Sequence, residues 1–359
     1  MRTEILTEDR EAEYSQLILR DERALFNSSL KFRELLRQVT GATDYYLIAL
    51  EDNEIVGALP AFLKSNNSYG SVLNSLPWYG SNPGITVDPS YPDQQQVKIS
   101  LLNAFAELAQ EKKAATSTII TRPFEPDLDL YRVHTKYNLL DSRIGMLTPL
   151  PEFGDTIDSD LMTIIHSKTR NLIRKAQKSG VRFYHDSSPE ARHFLADVHR
   201  CNMEAVGAPP KDIELFNRLA KICSYDEDYR IYIAELDGVK IAALLLTYFS
   251  RTVSYFTPAI VADYRRYQPL NLLIFNAMKD AAEKGFRYWN WGGTTLPSQQ
   301  SVYHFKKRWG SEECEYYYYT RAYGDISHLL SSNKETLLKE YPYFYVLPFS
   351  ELKGKNHGE

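Results

Sequence analysis

The sequence predicts an α/β protein with mixed sheets, built from two related lobes in tandem. Two similar stretches support this prediction: Tyr46 to Leu59 reads Y-L-I-A-L-E-D-N-E-I-V-G-A-L, and Ile231 to Leu244 reads I-Y-I-A-E-L-D-G-V-K-I-A-A-L. Each is an apolar strand, an acidic two-residue turn and a second apolar strand, which is the pattern of a β-hairpin. An amphipathic helix and a short strand follow in both copies, so the repeating unit is a whole lobe. We expect a cleft between the lobes and the functional site in it.

The first lobe is predicted to span residues 1–150. Its patterns predict a strand at 2–6, helices at 12–19 and 29–39, the hairpin at 45–63, a strand at 69–76 and a loop at 77–84. A helix at 93–113 follows, because Leu101, Leu102, Phe105 and Leu108 fall on one of its faces.

The second lobe is predicted to span residues 151–320, after a turn-rich stretch at 149–160. Its predicted elements are a strand at 181–185, helices at 189–206 and 211–224, the hairpin at 230–249 and a strand at 252–261. The helix that begins at Pro269 has the clearest apolar periodicity, and Gly285 ends it. A strand at 288–291, a turn at Gly292-Gly293, a short helix ending at Trp309 and a tyrosine-rich strand at 313–320 complete the lobe. Residues 321–359 are predicted to pack back on the first lobe.

Composition excludes several classes of protein. The 359 residues are 43% hydrophobic and 13% aromatic, which is enough apolar material for a core in each lobe. The net charge of −4 argues against a general nucleic-acid binder, so any polyanion site must be local. The 3 cysteines are widely spaced and form no C-x-x-C pair, so neither a disulfide framework nor a metal site is expected. The chain has no 18-residue apolar run, and we expect a cytoplasmic protein.

The stretch from Leu161 to Tyr184 is strongly basic and contains no acidic residue. Arg170, Arg174 and Lys178 are spaced at i, i+4 and i+8, so on a helix they form one cationic stripe. Arginine suits a diphosphate because its planar guanidinium matches two phosphate oxygens. The alternative is an ordinary solvated helix face.

A second candidate is the segment V-Y-H-F-K-K-R-W-G, which contains Tyr303, Phe305 and Lys306. Aromatic side chains interleaved with cations can stack on a base and hold a phosphate or a developing oxyanion. The alternative is a capping helix whose aromatic residues pack inward while its lysines stay in water.

A third candidate is the pair Arg265 and Arg266, which precedes the helix at Pro269. A helix N-terminus flanked by cations can bind an anion. A pyrophosphate normally also needs glycines, so that backbone N–H groups can approach it, and this loop has none. The loop therefore argues against coenzyme A. No P-loop, nucleophile-elbow or zincin motif is present, and no metal site is predicted.

Several of these segments, in their order along the chain, resemble one family. K-T-R-N-L-I-R-K-A-Q-K-S-G-V, the helix from Pro269, W-N-W-G-G-T and F-K-K-R-W-G resemble the FemAB family of peptidoglycan bridge-forming aminoacyltransferases. The resemblance implies two GNAT-like (acyl-CoA N-acyltransferase-like) lobes. It also implies transfer of an acyl group from an activated carrier to an amine without a covalent enzyme intermediate. In bridge formers the carrier is aminoacyl-tRNA, and the acceptor is a peptidoglycan precursor that bears a diphosphate.

The resemblance also implies roles for individual residues. Arg170 and Arg174 would hold the diphosphate of the acceptor. Phe305 and Lys306 would contact the terminal nucleotide of the carrier and stabilise charge on the ester carbonyl. Asp88 would orient the attacking amine, although Ile85 stands where the family motif has proline.

Further predicted substrate contacts are Lys31, Tyr79 and Tyr303. No tightly bound cofactor is expected, because aminoacyl-tRNA would be a co-substrate that contacts the enzyme through its acceptor end. The acceptor would be a diphosphate-bearing cell-wall or glycan precursor, which would bring the protein to the inner membrane face.

Two other functions stay open at this point. One is acyl-CoA-dependent N-acetylation of a sugar amine, in which case Arg265 and Arg266 would contact the CoA. The other is a non-catalytic module that binds a nucleotide-sugar, since a fold does not determine a function.

Overall fold

The computed structural model describes residues 1–78 and 83–352. Its strands are β1 (Arg2–Ile5), β2 (Thr43–Asp44), β3 (Leu47–Glu51), β4 (Glu54–Leu59), β5 (Phe62–Lys64), β6 (Ser71–Asn74), β7 (Thr86–Val87), β8 (Ala114–Ile120), β9 (Leu139–Pro149), β10 (Arg182–His185), β11 (Tyr229–Leu236), β12 (Val239–Phe249), β13 (Thr252–Ile260), β14 (Tyr288–Thr294) and β15 (Glu312–Ala322). Its helices are α1 (Glu11–Leu19), α2 (Leu30–Thr40), α3 (Gln94–Glu111), α4 (Leu128–His134), α5 (Ile157–Ile164), α6 (Ser167–Lys178), α7 (Pro189–Glu204), α8 (Ile213–Ile222), α9 (Pro269–Glu283), α10 (Gln300–Lys307), α11 (Ser327–Leu330) and α12 (Lys334–Glu340).

The chain divides into two compact units. Unit 1 contains Met1–Asp21, Asn27–Ile144 and the chain from Cys314 onward. Unit 2 contains Glu22–Phe26 and Gly145–Glu313. The two long strands β9 and β15 each belong partly to one unit and partly to the other. The predicted α/β class with mixed sheets is confirmed.

Unit 1 contains an antiparallel sheet in the order β1-β3-β4-β7. A second run of strands pairs β2 with β5, β5 with β6, β6 with β8 in parallel, and β8 with β15. Helix α3 buries Leu101, Leu102 and Phe105 in the core of this unit, as its apolar periodicity predicts. The chain after β15 also packs within unit 1, where the ring of Tyr343 stacks on Trp78 with centroids 4.5 Å apart.

Unit 2 contains the antiparallel strands β10 to β13 in sequential order, with β14 parallel to β13. Helices α7 and α9 pack against β11, β12 and β13. The periodic residues of α9 that face this core are all buried: Leu270, Leu273, Ile274, Ala277, Met278 and Ala281. Gly285 follows the helix with φ of 83°, in the left-handed region, as its predicted role as a helix stop requires.

Both predicted hairpin turns have the expected geometry. Asp52 and Asn53 have φ of 49° and 67°, and Asp237 and Gly238 have φ of 51° and 81°. Positive φ at both central residues is the requirement of the type I′ turn that joins twisted strands. The repeated hairpins therefore correspond to β3-β4 and β11-β12.

Two local predictions are wrong. The strand predicted at 288–291 continues to Thr294 as β14, so Gly292 and Gly293 extend the strand instead of turning it. The stretch predicted to be turn-rich contains the start of α5, because Ile157 and Leu161 lie one turn apart and are both buried. The short strand predicted after the helix of the first lobe is β8, and the sequence patterns missed α4 and β9. The side chains of β9 show no regular alternation of burial, so its sequence carries no strand period.

No helix in the two described ranges, 1–78 and 83–352, has the length and apolar character needed to cross a membrane.

Candidate functional site

The side chain of Lys306 is buried against the C-terminal end of strand β14. This side chain extends from α10, and only 6% of the residue is exposed. Its Nζ donates hydrogen bonds to the carbonyl of Gly293 at 3.0 Å and to Oγ1 of Thr294 at 2.9 Å. An ammonium group has three N–H donors, so one N–H is not used by these two contacts. Desolvation lowers the pKa of Lys306 to about 8.

An aromatic cluster holds α10 in place. The ring of Phe305 packs edge-on against Trp291, with centroids 6.1 Å apart, and Trp309 lies 5.8 Å from Trp291. The indole Nε1 of Trp291 donates to Oγ1 of Thr148 at 2.9 Å, which fixes the orientation of the ring. The alternation of aromatic and cationic residues in this segment therefore has a structural role, because the rings anchor the helix that carries Lys306.

Gly310 is required at the end of this segment. Its φ is 74°, and a Cβ at this position would lie 2.9 Å from the carbonyl oxygen of Ile164. Only glycine avoids both the backbone strain and the steric clash. The turn after α10 thus packs directly against the C-terminal end of α5, and the backbone N–H of His166 also donates to the carbonyl of Arg308 at 2.8 Å.

The neighbours of Lys306 have different surroundings. Tyr303 donates from its hydroxyl to Glu313 at 2.7 Å, and Lys307 forms an ion pair with the same carboxylate at 2.9 Å. Hydrogen bonds from Tyr303 and Lys307 lower the pKa of Glu313. Lys307 is exposed, as expected for an ordinary capping helix, but Lys306 is not.

Lys306 lies where the pairing of β13 and β14 stops. The parallel ladder joins Thr252 to Tyr288 and ends at Ser254 and Asn290, although both strands continue beyond these residues. The β12-β13 register also shifts here: Leu245 pairs with Thr257 and Leu246 with Tyr255. Phe256 is therefore the extra residue of a β-bulge. A bulge turns backbone groups out of the ladder and is frequent beside active sites.

A second anchored lysine lies on the β13 side of this point. Nζ of Lys211 donates to the carbonyl of Phe256 and, at 2.9 Å, to Oγ1 of Thr257. Nζ also lies 4.3 Å from the centroid of the Phe256 ring. Desolvation lowers the pKa of Lys211 to about 7. The imidazole of His199 is buried nearby, and desolvation together with the charge of Lys211 lowers its pKa to about 4.

Two lysines are thus anchored in the same manner by neighbouring strands. Lys211 precedes α8 and donates to Phe256 and Thr257 of β13, and Lys306 of α10 donates to Gly293 and Thr294 of β14. Fixed cations in a partly desolvated site can stabilise a carbonyl oxygen as it gains negative charge. Sequence reasoning missed Lys211, because a lone lysine between Pro210 and Asp212 gives no recognisable signal.

The cations of the predicted stripe on α6 differ in exposure and in their contacts. Ile173 and Ala176 are buried, so the helix lies in the predicted orientation. Arg170 is partly buried and donates to the carbonyl of Met162 in α5 at 3.0 Å. Arg174 is exposed and makes a weak contact of 3.4 Å with its neighbour Asn171. An open groove is lined by Asn171, Arg174, Lys175, Lys178 and Ser179.

Arg265 and Arg266 lie in a 3-10 helix, Ala262–Tyr267, directly before α9. Both are exposed, and Arg266 donates to the hydroxyl of Tyr267 at 3.0 Å. The backbone N–H groups of Tyr264, Gln268 and Asn271 are used within this turn, at 3.0 to 3.1 Å, and Pro269 has none. These N–H groups are not available to a pyrophosphate.

The predicted first-lobe residues belong to unit 1. Asp88 is buried, its Oδ1 accepts hydrogen bonds from the backbone and hydroxyl of Ser90 at 2.9 and 2.7 Å, and its Oδ2 pairs with Arg20. Desolvation opposes the charge of Asp88, but the Ser90 hydrogen bonds and Arg20 outweigh it and lower its pKa. Lys31 lies in the first turn of α2. Tyr79 lies outside the described residues. The roles predicted for all three, and their grouping with Lys306, stay predictions.

The anchoring of Lys306 leads to a first testable prediction. In Thr294→Val the hydroxyl that accepts from Nζ is removed, so the charged form of Lys306 loses a hydrogen bond and its pKa falls further. Nitrogen-15 NMR of the lysine ammonium groups checks this, with Thr295→Val as the control one residue away. A pKa of Lys306 that is unchanged or higher in Thr294→Val would show that this contact does not hold the ammonium.

Comparison with known proteins agrees with the geometry of unit 2. Residues 166–307, all within unit 2, match the family described as Acetyltransferase (GNAT) domain. The comparison with curated proteins gave no match.

Among solved structures, that of FemX superposes with a TM-score of 0.70 and 16% identity, covering 88% of this chain and 97% of that one. The C-terminal domain (DUF2156) of a putative lysylphosphatidylglycerol synthetase from Agrobacterium fabrum gives a TM-score of 0.58 at 12% identity, covering 92% and 96%. A tandem GNAT protein from the clavulanic acid biosynthesis pathway gives 0.53 at 10% identity, covering 90% and 99%.

These findings define the class of the protein. At such low identities the structural likeness establishes the fold, which is the FemAB-like tandem GNAT fold predicted from the sequence. The family match in unit 2 adds the type of chemistry, and the chain is an acyltransferase of the GNAT type.

Proposed function

We propose that this acyltransferase moves an aminoacyl group from aminoacyl-tRNA to an amine of a diphosphate-bearing cell-wall or polysaccharide precursor. The observation that carries the proposal is the buried Lys306, which is fixed by Gly293 and Thr294 with one N–H left over, where the pairing of β13 and β14 ends. Such a group can donate to the oxygen of a reacting ester.

The reaction requires a neutral amine as the nucleophile. Its nitrogen bonds to the ester carbonyl carbon, and the carbonyl oxygen becomes an oxyanion that accepts the remaining N–H of Lys306. The bond from that carbon to the ribose oxygen then breaks, the amine gives up a proton, and the ribose hydroxyl receives one. With a pKa of about 8, Lys306 is largely protonated at neutral pH and can donate throughout.

The turn before α9 favours tRNA over coenzyme A as the carrier. Three of its backbone N–H groups are used internally and a proline removes a fourth, so the turn offers a pyrophosphate fewer free donors than a glycine-rich loop does. Arg170 and Arg174 are proposed to hold the diphosphate of the acceptor, which suits the planar guanidinium group. Phe305, at the edge of the aromatic cluster, is half-buried and retains area for stacking on a terminal base.

A second candidate is transfer from an acyl-CoA to a sugar amine. It is favoured by the match of residues 166–307 to the Acetyltransferase (GNAT) domain family. In this case the exposed Arg265 and Arg266 would contact the phosphates of the CoA.

The donor experiment distinguishes the two candidates. We expect the purified chain to form an amide from charged tRNA and a nucleotide-linked peptidoglycan precursor with a free amine, detected by mass spectrometry. Calorimetric titration with CoA should give no saturable binding. Parallel reactions use acetyl-CoA with a nucleotide-linked amino sugar. Saturable CoA binding, together with product only in the acetyl-CoA reaction, would replace the first candidate by the second.

A further inference from the structure

The exposed face of α6 carries more positive charge than a diphosphate needs. Lys168, Arg174, Lys175 and Lys178 are exposed, and Arg182 is exposed at the start of β10. We call these five residues the α6 basic surface. In residues 1–78 and 83–352, the ion pairs found do not involve any of them.

This surface is local and contrasts with the rest of the chain. The protein as a whole has a net charge of −4, whereas residues 161–184, which carry these five cations, include no acidic residue. In the sheet, the register places Glu235 of β11 opposite Arg182. Three of its cations, Arg174, Lys175 and Lys178, line one open groove together with the polar side chains of Asn171 and Ser179. Unpaired cations grouped on one helix face raise the local positive potential and can attract several phosphates.

The exposed positions of α6 also distinguish between two kinds of polyanion. The exposed residues of the helix are Ser167, Lys168, Asn171, Arg174, Lys175, Gln177 and Lys178, and all of them are polar. Helices that bind membrane surfaces insert apolar side chains beside their cations. Helix α6 has none to insert, and the one exposed apolar side chain next to Arg182 is Phe183 on β10, so the helix face fits a fully hydrated phosphate backbone better than a lipid surface.

We propose that Lys168, Lys175, Lys178 and Arg182 of the α6 basic surface bind the phosphate backbone of the RNA that carries the acyl group, while Arg174 is left to the diphosphate of the acceptor. This inference rests on the proposed function. Cationic residues three to four positions apart on a helix are displaced by about 4.5 to 6 Å along its axis, so successive phosphates of one strand can each meet a cation. Such contacts position the RNA without reading its sequence.

The test uses Lys175→Glu/Lys178→Glu, which leaves Arg170 and Arg174 unchanged. The probe is a synthetic hairpin RNA with the acceptor-stem sequence and a CCA end, and its binding is measured by fluorescence anisotropy over a range of salt concentrations. We expect affinity to fall at least ~10-fold at moderate salt. The slope of log affinity against log salt should decrease by about 1.4 to 1.8, as for the loss of two phosphate contacts.

The matched control is Lys221→Glu/Lys339→Glu, which makes the same charge change at two exposed lysines outside α6 and β10. Binding that both double variants weaken equally would overturn the inference, because the effect would then come from net charge alone. If Lys175→Glu/Lys178→Glu loses binding to phosphatidylglycerol vesicles but keeps its RNA binding, the inference is overturned in favour of a membrane surface.

The outcomes also separate this inference from the proposed function. If wild type transfers from aminoacyl-tRNA and Lys175→Glu/Lys178→Glu binds RNA normally, the inference fails while the proposed function stands. If wild type binds no RNA, both fail.

Discussion

The variant Lys306→Ala is expected to lose about 100- to 1000-fold in the rate of acyl transfer, as is typical when one oxyanion donor is removed. The reason is the geometry of its Nζ, which Gly293 and Thr294 fix with one N–H unused. The loss should appear in kcat rather than in KM, because the oxyanion exists only in the transition state and the intermediate. The measurement is the rate of acyl transfer, under steady-state and single-turnover conditions, from whichever donor proves active in the comparison of charged tRNA with acetyl-CoA.

Lys307→Ala is the matched control for this prediction. Lys307 lies next to Lys306 on α10, but it is exposed and paired with Glu313 at 2.9 Å. We expect its turnover to stay within a few-fold of wild type and the thermal unfolding of both variants to remain cooperative. Near-normal turnover by Lys306→Ala would remove this lysine from the mechanism.

The pH dependence provides an independent check on Lys306. Its ammonium form is the proposed hydrogen-bond donor to the oxyanion, and desolvation lowers the pKa of Lys306 to about 8. The contribution of Lys306 is therefore complete below this pKa and decreases as pH rises through it. An alkaline limb near pH 8 is expected in the pH dependence of kcat, and it should be absent from the residual activity of Lys306→Ala.

The sequence contained enough information for the repeated hairpins and for α9. The turns at Asp52-Asn53 and Asp237-Gly238 require positive φ, and few residue types accept it, so the local sequence specifies the turn. Helix α9 was predictable because its apolar residues follow the helical period without interruption. Strand β14 was predicted too short, because the pair Gly292-Gly293 suggests a turn. In the structure the strand continues, and Lys306 of α10 donates a hydrogen bond to the carbonyl of Gly293.

The candidate site was only partly predictable for the same reason. Lys306 belongs to a dense local pattern of aromatic and basic residues, and this pattern predicts it as a functional residue. Lys211 has no such pattern, and its role depends on the bulge at Phe256, which lies 45 residues further along the chain. Contacts between residues so far apart are properties of the folded sheet, and no single segment of sequence encodes them.

The largest expected effect on stability is that of Trp291→Ala in unit 2. Trp291 is 2% exposed, and its ring contacts Tyr255, Trp289, Phe305 and Trp309. Replacing a buried tryptophan by alanine typically costs about 3 to 5 kcal/mol, which is a large part of the 5 to 15 kcal/mol that stabilises a typical domain. Guanidinium unfolding followed by circular dichroism should show the transition of unit 2 at a clearly lower denaturant concentration.

Trp291→Phe separates packing from hydrogen bonding in this cluster. Phenylalanine keeps an aromatic ring against Phe305 and Trp309 but cannot donate to Thr148, which Trp291 contacts at 2.9 Å. We expect a smaller loss, of about 1 to 2 kcal/mol, because the partner hydroxyl is left without a donor and some ring area is lost. Equal losses in Trp291→Phe and Trp291→Ala would mean that the hydrogen bond dominates. A loss below about 1 kcal/mol in Trp291→Ala would show that the aromatic cluster does not hold α10, and the burial of Lys306 would then need another cause.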